Sequence, residues 1–199
     1  MGYQVILDIL GAIVVGTLLL LIVLRMSDSA TQNTYTYAGE LIVQENIVSV
    51  VTLLEHDFRK IGYCKDYLKI PDPSASIIAA AQDSISFLTD LDYNGQLDTI
   101  TYFLGDTTEL SMTPNPRDRM LYRVQNSEQP KSANLGITEF FILYFDALGD
   151  QISFPISSPG EINTMQINIK VENTAAYDTL YSSAFWRQIR LAARNLHNR

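Results

Sequence analysis

The sequence predicts an α+β protein in which a long N-terminal helix, first membrane-spanning and then amphipathic, packs on a small antiparallel β-sheet. Three observations support this class. Residues 5–24 are almost entirely apolar, apolar residues then recur at helical spacing as far as residue 61, and the remainder alternates between apolar and polar residues. We therefore divide the chain into an apolar helix at 1–26, an extension with an amphipathic helix at 27–63, and a sheet domain at 64–199.

The apolar segment reads VILDILGAIVVGTLLLLIVL and contains one charged residue, Asp8. A helix rises about 1.5 Å per residue, so a segment of this length can cross a hydrocarbon core about 30 Å thick. A cleaved signal peptide is the alternative. No Lys or Arg precedes the run, however, and the run exceeds an ordinary signal core of about 7–15 residues. We therefore expect a retained, single-pass transmembrane helix.

Two different patterns follow the apolar segment. Residues 27–36 are polar and rich in threonine, and they contain no proline, so they are compatible with a continuous helix or with a flexible link. From Ala38 onwards the helical spacing returns and places five residues in one core stripe: Ile47, Val51, Leu54, Phe58 and Ile61. The charged residues, including Asp57, are expected on the other faces, and Gly62 is expected to end the helix.

The rest of the chain has the period of two that is typical of strands. We expect strands at 84–90, 99–105, 120–125, 137–145 and 165–171, and an edge strand at 184–191. Asn94 and Gly95 favour a hairpin between the first two strands because both accept positive φ. The strand at 165–171 places its apolar residues on one face and is expected to leave Gln166, Asn168 and Lys170 on a wet face.

Charge and composition exclude several functions. The net charge of −8 argues against a nucleic-acid partner, which would need clustered Lys and Arg, and against attraction to anionic lipid headgroups. The lone Cys64 excludes an intrachain disulfide and a cysteine-based zinc cluster. His56 and His197 have no fixed spacing and no nucleophile partner, so we expect neither a metal site nor a catalytic triad, and no enzymatic activity.

A possible cation site lies in the loop of the first hairpin. Oxygen-bearing side chains occur at alternate positions there, as a calcium loop requires: Asp90, Asp92, Asn94, Gln96 and Asp98. The twelfth position of the pattern is Thr101 instead of the bidentate glutamate, which predicts weak calcium affinity at best. In the alternative interpretation, these side chains cap backbone amides in a turn, and calcium, the only cofactor considered, is not bound.

The order of these segments resembles the type IV pilin and type II secretion pseudopilin superfamily, and more closely its minor prepilin-like branch. Four segments carry the resemblance: LLEHDFRKIGY at 53–63, SISFLTDLDYNGQLDTITYFLG at 84–105, ITEFFILYFDALGD at 137–150 and FWRQIRLAARNL at 185–196. The resemblance implies a pilin-like fold whose apolar helix forms a filament core with copies of itself or with related subunits. It also implies location in a bacterial membrane, in an extracellular filament, or in both.

The resemblance further assigns roles to residues of the apolar helix. In the family a glycine precedes the processing point and an acidic residue follows shortly after it, and here Gly2 precedes Tyr3 and Asp8 follows. Asp8 would pair with the α-amino group, or another cation, of a neighbouring helix. Alternatively, Asp8 lies close enough to the N-terminus to reach the headgroup region. Gly11 and Gly16 are expected to permit close helix packing.

Overall fold

The computed structural model describes residues 2–174 and 181–191. Helix α1 (Gly2–Phe58) comes first. The strands follow as β1 (Ile77–Ala80), β2 (Ser84–Thr89), β3 (Asp98–Leu104), β4 (Arg119–Gln125), β5 (Lys131–Phe145), β6 (Thr164–Glu172) and β7 (Ser183–Leu191). Short 3-10 helices occupy Tyr67–Lys69, Pro73–Ser76, Thr107–Leu110 and Pro159–Glu161. The protein is therefore α+β, as the sequence predicted.

The strands form one antiparallel sheet of seven strands in the order β1 to β7, so each strand pairs with the next along the chain. The predicted strands are confirmed, and β7 is an edge strand as expected. Two parts of the sheet were not predicted. Strand β1 has only four residues, and β5 begins at Lys131 instead of Ile137. The early part of β5 reads KSANLG, which has too few apolar residues to stand out as a strand.

The chain divides into two compact units, Met1–Gly39 and Glu40–Arg199, and α1 contributes residues to both. The polar segment at 27–36 is helical throughout. Its threonine hydroxyls donate to carbonyls four residues earlier, for example Thr31 Oγ1 to the Ser27 carbonyl at 2.9 Å and Thr34 Oγ1 to the Ala30 carbonyl at 2.9 Å. The hydroxyls therefore have partners within the helix and need not compete with its backbone hydrogen bonds.

In the second unit, one stripe of α1 packs on the sheet and forms the hydrophobic core with it. Ile47, Leu54 and Phe58 are buried, as predicted. The Phe58 ring lies edge-on to the rings of Phe87 and Tyr102, with ring centroids 5.5 Å apart in each pair. Such edge-to-face pairs add about 0.5–1.5 kcal/mol each beyond the burial of apolar area. The amphipathic helix and the sheet thus stabilise each other.

The details of the stripe differ from the prediction at three positions. Val51 is only partly buried, and Val50 takes its place in the core. The helix ends at Phe58, so Ile61 enters the core from a turn instead of from the helix. Gly62, expected to end the helix, lies in the turn that follows Phe58, with a φ of 72°.

Two predictions of exposed polar side chains are wrong. Asp57, expected on a face of α1 other than the core stripe, is buried. Asn168 was placed on the wet face of β6, but it is buried too. Its side chain accepts hydrogen bonds from Gln166 Nε2 at 3.0 Å and from Arg187 Nε at 2.9 Å, so polar neighbours cover that face.

A second buried carboxylate joins β6 to the loop before β4. Glu172 Oε2 accepts hydrogen bonds from Asn115 Nδ2 at 3.0 Å and from Arg117 Nη2 at 2.8 Å, and Lys170 Nζ lies 3.0 Å from Glu172 Oε1. Burial alone would raise the pKa of Glu172, but these three donors outweigh it and hold the pKa below its ordinary value.

Candidate functional site

The residues proposed for assembly all lie on the first part of α1. Gly2, Tyr3, Asp8, Gly11 and Gly16 are helical and exposed. A methyl group added at any of the three glycines would have no neighbour within 4 Å. This part of the helix therefore offers an open surface that a second helix or lipid can contact.

The carboxylate of this helix shares a face with small residues. Asp8, Ala12 and Gly16 follow each other at intervals of four, which brings them to one side of an α-helix, and Gly11 lies beside them. Small residues allow two helix backbones to approach closely in an apolar medium. The side of the helix that carries the charge is thus also the side best suited to close contact with another helix.

The first part of α1 is apolar enough to span a membrane. Within the described residues, α1 is the one helix that is long and apolar enough to cross a bilayer, and none of the apolar window is buried. The large apolar side chains of 5–24 are about half exposed or more. Because water would surround these side chains in the isolated chain, this segment needs an apolar environment from lipid or from partner helices.

The predicted cation loop lies between β2 and β3. One carboxylate oxygen from each of Asp90, Asp92 and Asp98 lies within 4.8 Å of the others. The sequence thus brings the right residue types together. Asp90 is fully buried, and its two oxygens accept hydrogen bonds from the backbone N–H groups of Lys65, Asn94 and Gly95. Burial opposes the charged form, but these backbone donors prevail and lower the pKa of Asp90.

The other acidic side chains of the loop have similar partners. Asp98 Oδ2 accepts from the Leu91 N–H at 3.1 Å, and Asp98 Oδ1 accepts from Asn126 Nδ2 at 2.7 Å. Asp92 Oδ1 accepts from the Asn94 N–H at 3.2 Å. These contacts are the ones expected when Asp and Asn side chains cap a turn.

The remaining positions of the cation pattern complete the turn. Asn94 Oδ1 accepts from the Gln96 N–H, and Gln96 Oε1 accepts from Lys69 Nζ. Thr101, at the twelfth position, lies within β3. The network accounts for the loop residues without a cation, and calcium binding stays a prediction.

A buried polar cluster that the sequence did not reveal joins α1 to the sheet. Asp57 Oδ2 accepts a hydrogen bond from the Tyr102 hydroxyl of β3 at 2.6 Å and from Arg123 Nε of β4 at 2.7 Å. His56 Nδ1, on an exposed ring, lies 3.0 Å from Asp57 Oδ1. The signal that could have revealed Asp57 is its position, because it lies three residues after Leu54 and four before Ile61 on the buried stripe.

The pKa shifts in this cluster follow from burial and from the Asp57 charge. Burial, and then the nearby carboxylate, raise the pKa of Tyr102, so its hydroxyl stays protonated and donates to Asp57. Burial alone would lower the pKa of Arg123, but the hydrogen bond and charge of Asp57 raise it instead. The result is a fixed ion pair with a neutral tyrosine, an arrangement that positions α1 on the sheet.

Some predicted residues fall outside the described part of the chain. His197 does so, as does the end of the resembling segment 185–196 beyond Leu191. Comparison of the chain with protein-family models, with curated proteins and with solved structures finds no match. The resemblance to pilins therefore stays a prediction.

Proposed function

We propose that this protein is a non-enzymatic, membrane-anchored subunit of a bacterial type IV pilus-like filament or type II secretion pseudopilus. The observation that carries the proposal is the exposed apolar segment at the start of a helix that continues without interruption through the polar residues 27–36. In this proposal the apolar segment lies in the membrane before assembly and in a bundle of similar helices afterwards. The bundle consists of copies of this chain or of related pilin-like subunits.

The physical basis of the proposal is that lipid tails and apolar side chains are equally apolar. Transfer of the segment from lipid to a helix bundle therefore has little hydrophobic cost, and close packing and polar contacts decide the outcome. Glycine at positions 11 and 16 supports close packing, because it leaves the backbone open to a neighbour. The sheet of the second unit would face the outside of the filament.

Asp8 is the polar contact in this proposal. A carboxylate in a bilayer costs about 2.5–3.5 kcal/mol on insertion scales, so a cationic partner in a neighbouring subunit would favour assembly. We expect the α-amino group of a neighbouring helix, or another cation, to provide that partner. In the alternative, Asp8 lies close enough to the N-terminus to reach the headgroup region and needs no such partner.

Electron microscopy of the sheared surface fraction of cells that express the chain tests the proposal, with mass spectrometry to identify the subunit. We expect filaments that contain this chain. Asp8→Ala should abolish them and leave membrane insertion intact. Asp28→Ala is the matched control, because Asp28 is also an exposed acidic residue of α1 but lies beyond the apolar segment.

A second measurement detects helix contacts directly. The only native cysteine, Cys64, is buried, so single cysteines introduced into the apolar segment can be oxidised with little background. We expect disulfide-linked dimers from Ala12→Cys, on the face that carries Asp8. Filaments that are absent from every fraction, together with no cross-linking at any position of the segment, would contradict the proposal.

The alternative is a single-pass adhesin or a ligand- or calcium-binding domain that never polymerises. The observation that favours it is the group of three carboxylates in the loop between β2 and β3. In that case the chain would occur in the membrane fraction alone, and Asp8→Ala would not change its distribution.

A further inference from the structure

An open cavity of about 380 Å³ lies between α1 and the β4–β5 hairpin, within the second unit. Two side chains of α1 hold the helix to the sheet on either side of it. Asn46 Nδ2 donates to the Leu135 carbonyl at 3.2 Å, and Asp57 binds Tyr102 and Arg123 as described above. The helix residues that line the cavity lie between Asn46 and Asp57 in the sequence.

The walls of this cavity are mostly apolar. The side chains that provide them are Val50, Leu53, Leu54, Leu121, Leu135 and Ile137. Leu53 is 46% exposed although it lies beside the core. A volume of this size is within the range of about 300–1,000 Å³ that is typical of small-molecule sites.

Charged residues occupy one end of the cavity only. Tyr102 pairs with Arg123, and Arg123 pairs with Lys131, so these three residues form one row across the sheet. Leu121 pairs with Ala133 in the neighbouring row on the same face. The lining residues include two cations and no carboxylate. Both cations lie in one row of the sheet, and the row beside it contributes only apolar side chains, Leu121 and Ala133.

The cationic end includes hydrogen-bond donors that have no partner within residues 2–174 and 181–191. Arg123 donates to Asp57 and Tyr102 through Nε, and its two terminal nitrogens have no hydrogen-bond partner among the described residues. Arg123 lines the cavity, and its side chain is 15% exposed. Lys131 contacts Glu128 in an exposed ion pair, which is weak and easily exchanged.

We propose that this cavity binds a single-chain fatty acid, with its carboxylate at Arg123 and Lys131 and its alkyl chain along Leu121 and Leu135. The lining residues carry two cations and no carboxylate, which favours an anionic head although the net charge of the whole chain is −8. A volume of about 380 Å³ suits one alkyl chain instead of the two chains of a phospholipid. This site is independent of the apolar segment of α1 and of its assembly.

A photoactivatable palmitic acid with a diazirine in mid-chain tests the proposal on the full chain in a lipid nanodisc. After illumination, peptide mass spectrometry maps the labelled residues. We expect label on peptides that cover 49–54 and 119–137. The methyl ester of the same compound should label them about fivefold less, the effect of losing roughly one charged contact. Label on the transmembrane segment measures partition into lipid and should be equal for both compounds.

Two substitutions at exposed positions separate the head and tail contacts. Lys131→Glu reverses a charge at the cationic end and should reduce label in the cavity about fivefold. Ala133→Trp should fill the apolar end and abolish that label. Both variants should keep wild-type label on the transmembrane segment, which shows that the chain is inserted.

Three results would overturn the proposal. One is equal labelling of the cavity by the acid and its ester. Another is labelling that survives both substitutions. The third is preferential labelling by a photoactivatable phosphatidylcholine, which would assign the cavity to membrane lipid instead. None of these results depends on whether the chain forms filaments.

Discussion

The buried ion pair between Asp57 and Arg123 allows a quantitative prediction. Asp57 is 1% exposed and Arg123 is 15% exposed, so replacement of Arg123 by Met leaves a carboxylate buried without its cation. Removal of one partner from a buried pair costs about 3–5 kcal/mol. The Tyr102 hydroxyl and His56 stay near Asp57 and compensate in part. We therefore expect Arg123→Met to lower the free energy of unfolding by about 3 kcal/mol.

Replacement of the whole cluster should behave differently. With Asp57→Leu and Arg123→Met together, no charge stays buried, but the Tyr102 hydroxyl loses its acceptor. Addition of Tyr102→Phe removes that unpaired group as well. Buried ion pairs can often be replaced by apolar residues of similar volume without loss of stability. We expect the triple variant to lie within about 1 kcal/mol of the wild type.

Guanidinium unfolding of the full chain in a non-ionic detergent measures these differences, with the fluorescence of the only tryptophan, Trp186 on β7, as the signal. Arg59→Met is the matched control. Arg59 forms an exposed pair with Glu55 at 3.5 Å, so its loss should cost at most about 0.5 kcal/mol. Two results would contradict this prediction: a loss of stability for Arg123→Met no larger than that for Arg59→Met, or a triple variant that is less stable than Arg123→Met alone.

Three further predictions concern glycine, acid and calcium. Gly136→Ala should cost more than about 3 kcal/mol by the same unfolding assay, because the new Cβ would clash with the Glu172 carbonyl oxygen. Gly95→Ala, also at positive φ but with Asp66 Cβ at 3.7 Å as the nearest neighbour of the new Cβ, should cost about 1–2 kcal/mol, and equal costs for the two variants would contradict the steric explanation. Because Glu172 has a lowered pKa in the folded state, its stabilisation is present above its unfolded pKa of about 4.3 and is lost as the pH falls through the folded value. The unfolding midpoint of the wild type should therefore be constant from about pH 7 to 5 and should decrease when the pH is lower than about 4. The midpoint of the Glu172→Gln variant should decrease less steeply over the same range. Because Thr101 replaces the bidentate ligand, about 1 mM Ca²⁺ should add no more than about 0.5 kcal/mol of stability, and a larger increase that Asp90→Asn removes would establish a calcium site.

Most of the fold could be predicted because its patterns are local. The apolar segment, the helical stripe and the alternation in the strands each depend on residues within a few positions of one another. The positive-φ glycines at 62 and 95 were found for the same reason. The strands that were missed or shortened have weak local signals, since β1 has four residues and the start of β5 is polar.

The candidate sites also could be predicted only where their residues are close together in the sequence. The residues Asp90, Asp92 and Asp98 were brought together by a turn that the sequence indicates, because they are neighbours in the chain. Asp57 and Arg123 come from elements far apart in sequence, so their pairing has no local signal. The cavity between α1 and the β4–β5 hairpin likewise depends on how far the helix lies from the sheet.

An apolar N-terminal helix, an amphipathic continuation and an antiparallel meander can be predicted from the amino-acid sequence, because side-chain period and turn chemistry act over a few residues. Tertiary packing, in contrast, sets which polar side chains are buried and which strand rows face the helix. Burial depends on packing between distant segments, so Asp57 could be identified as a core residue only after α1 was placed on β3 and β4.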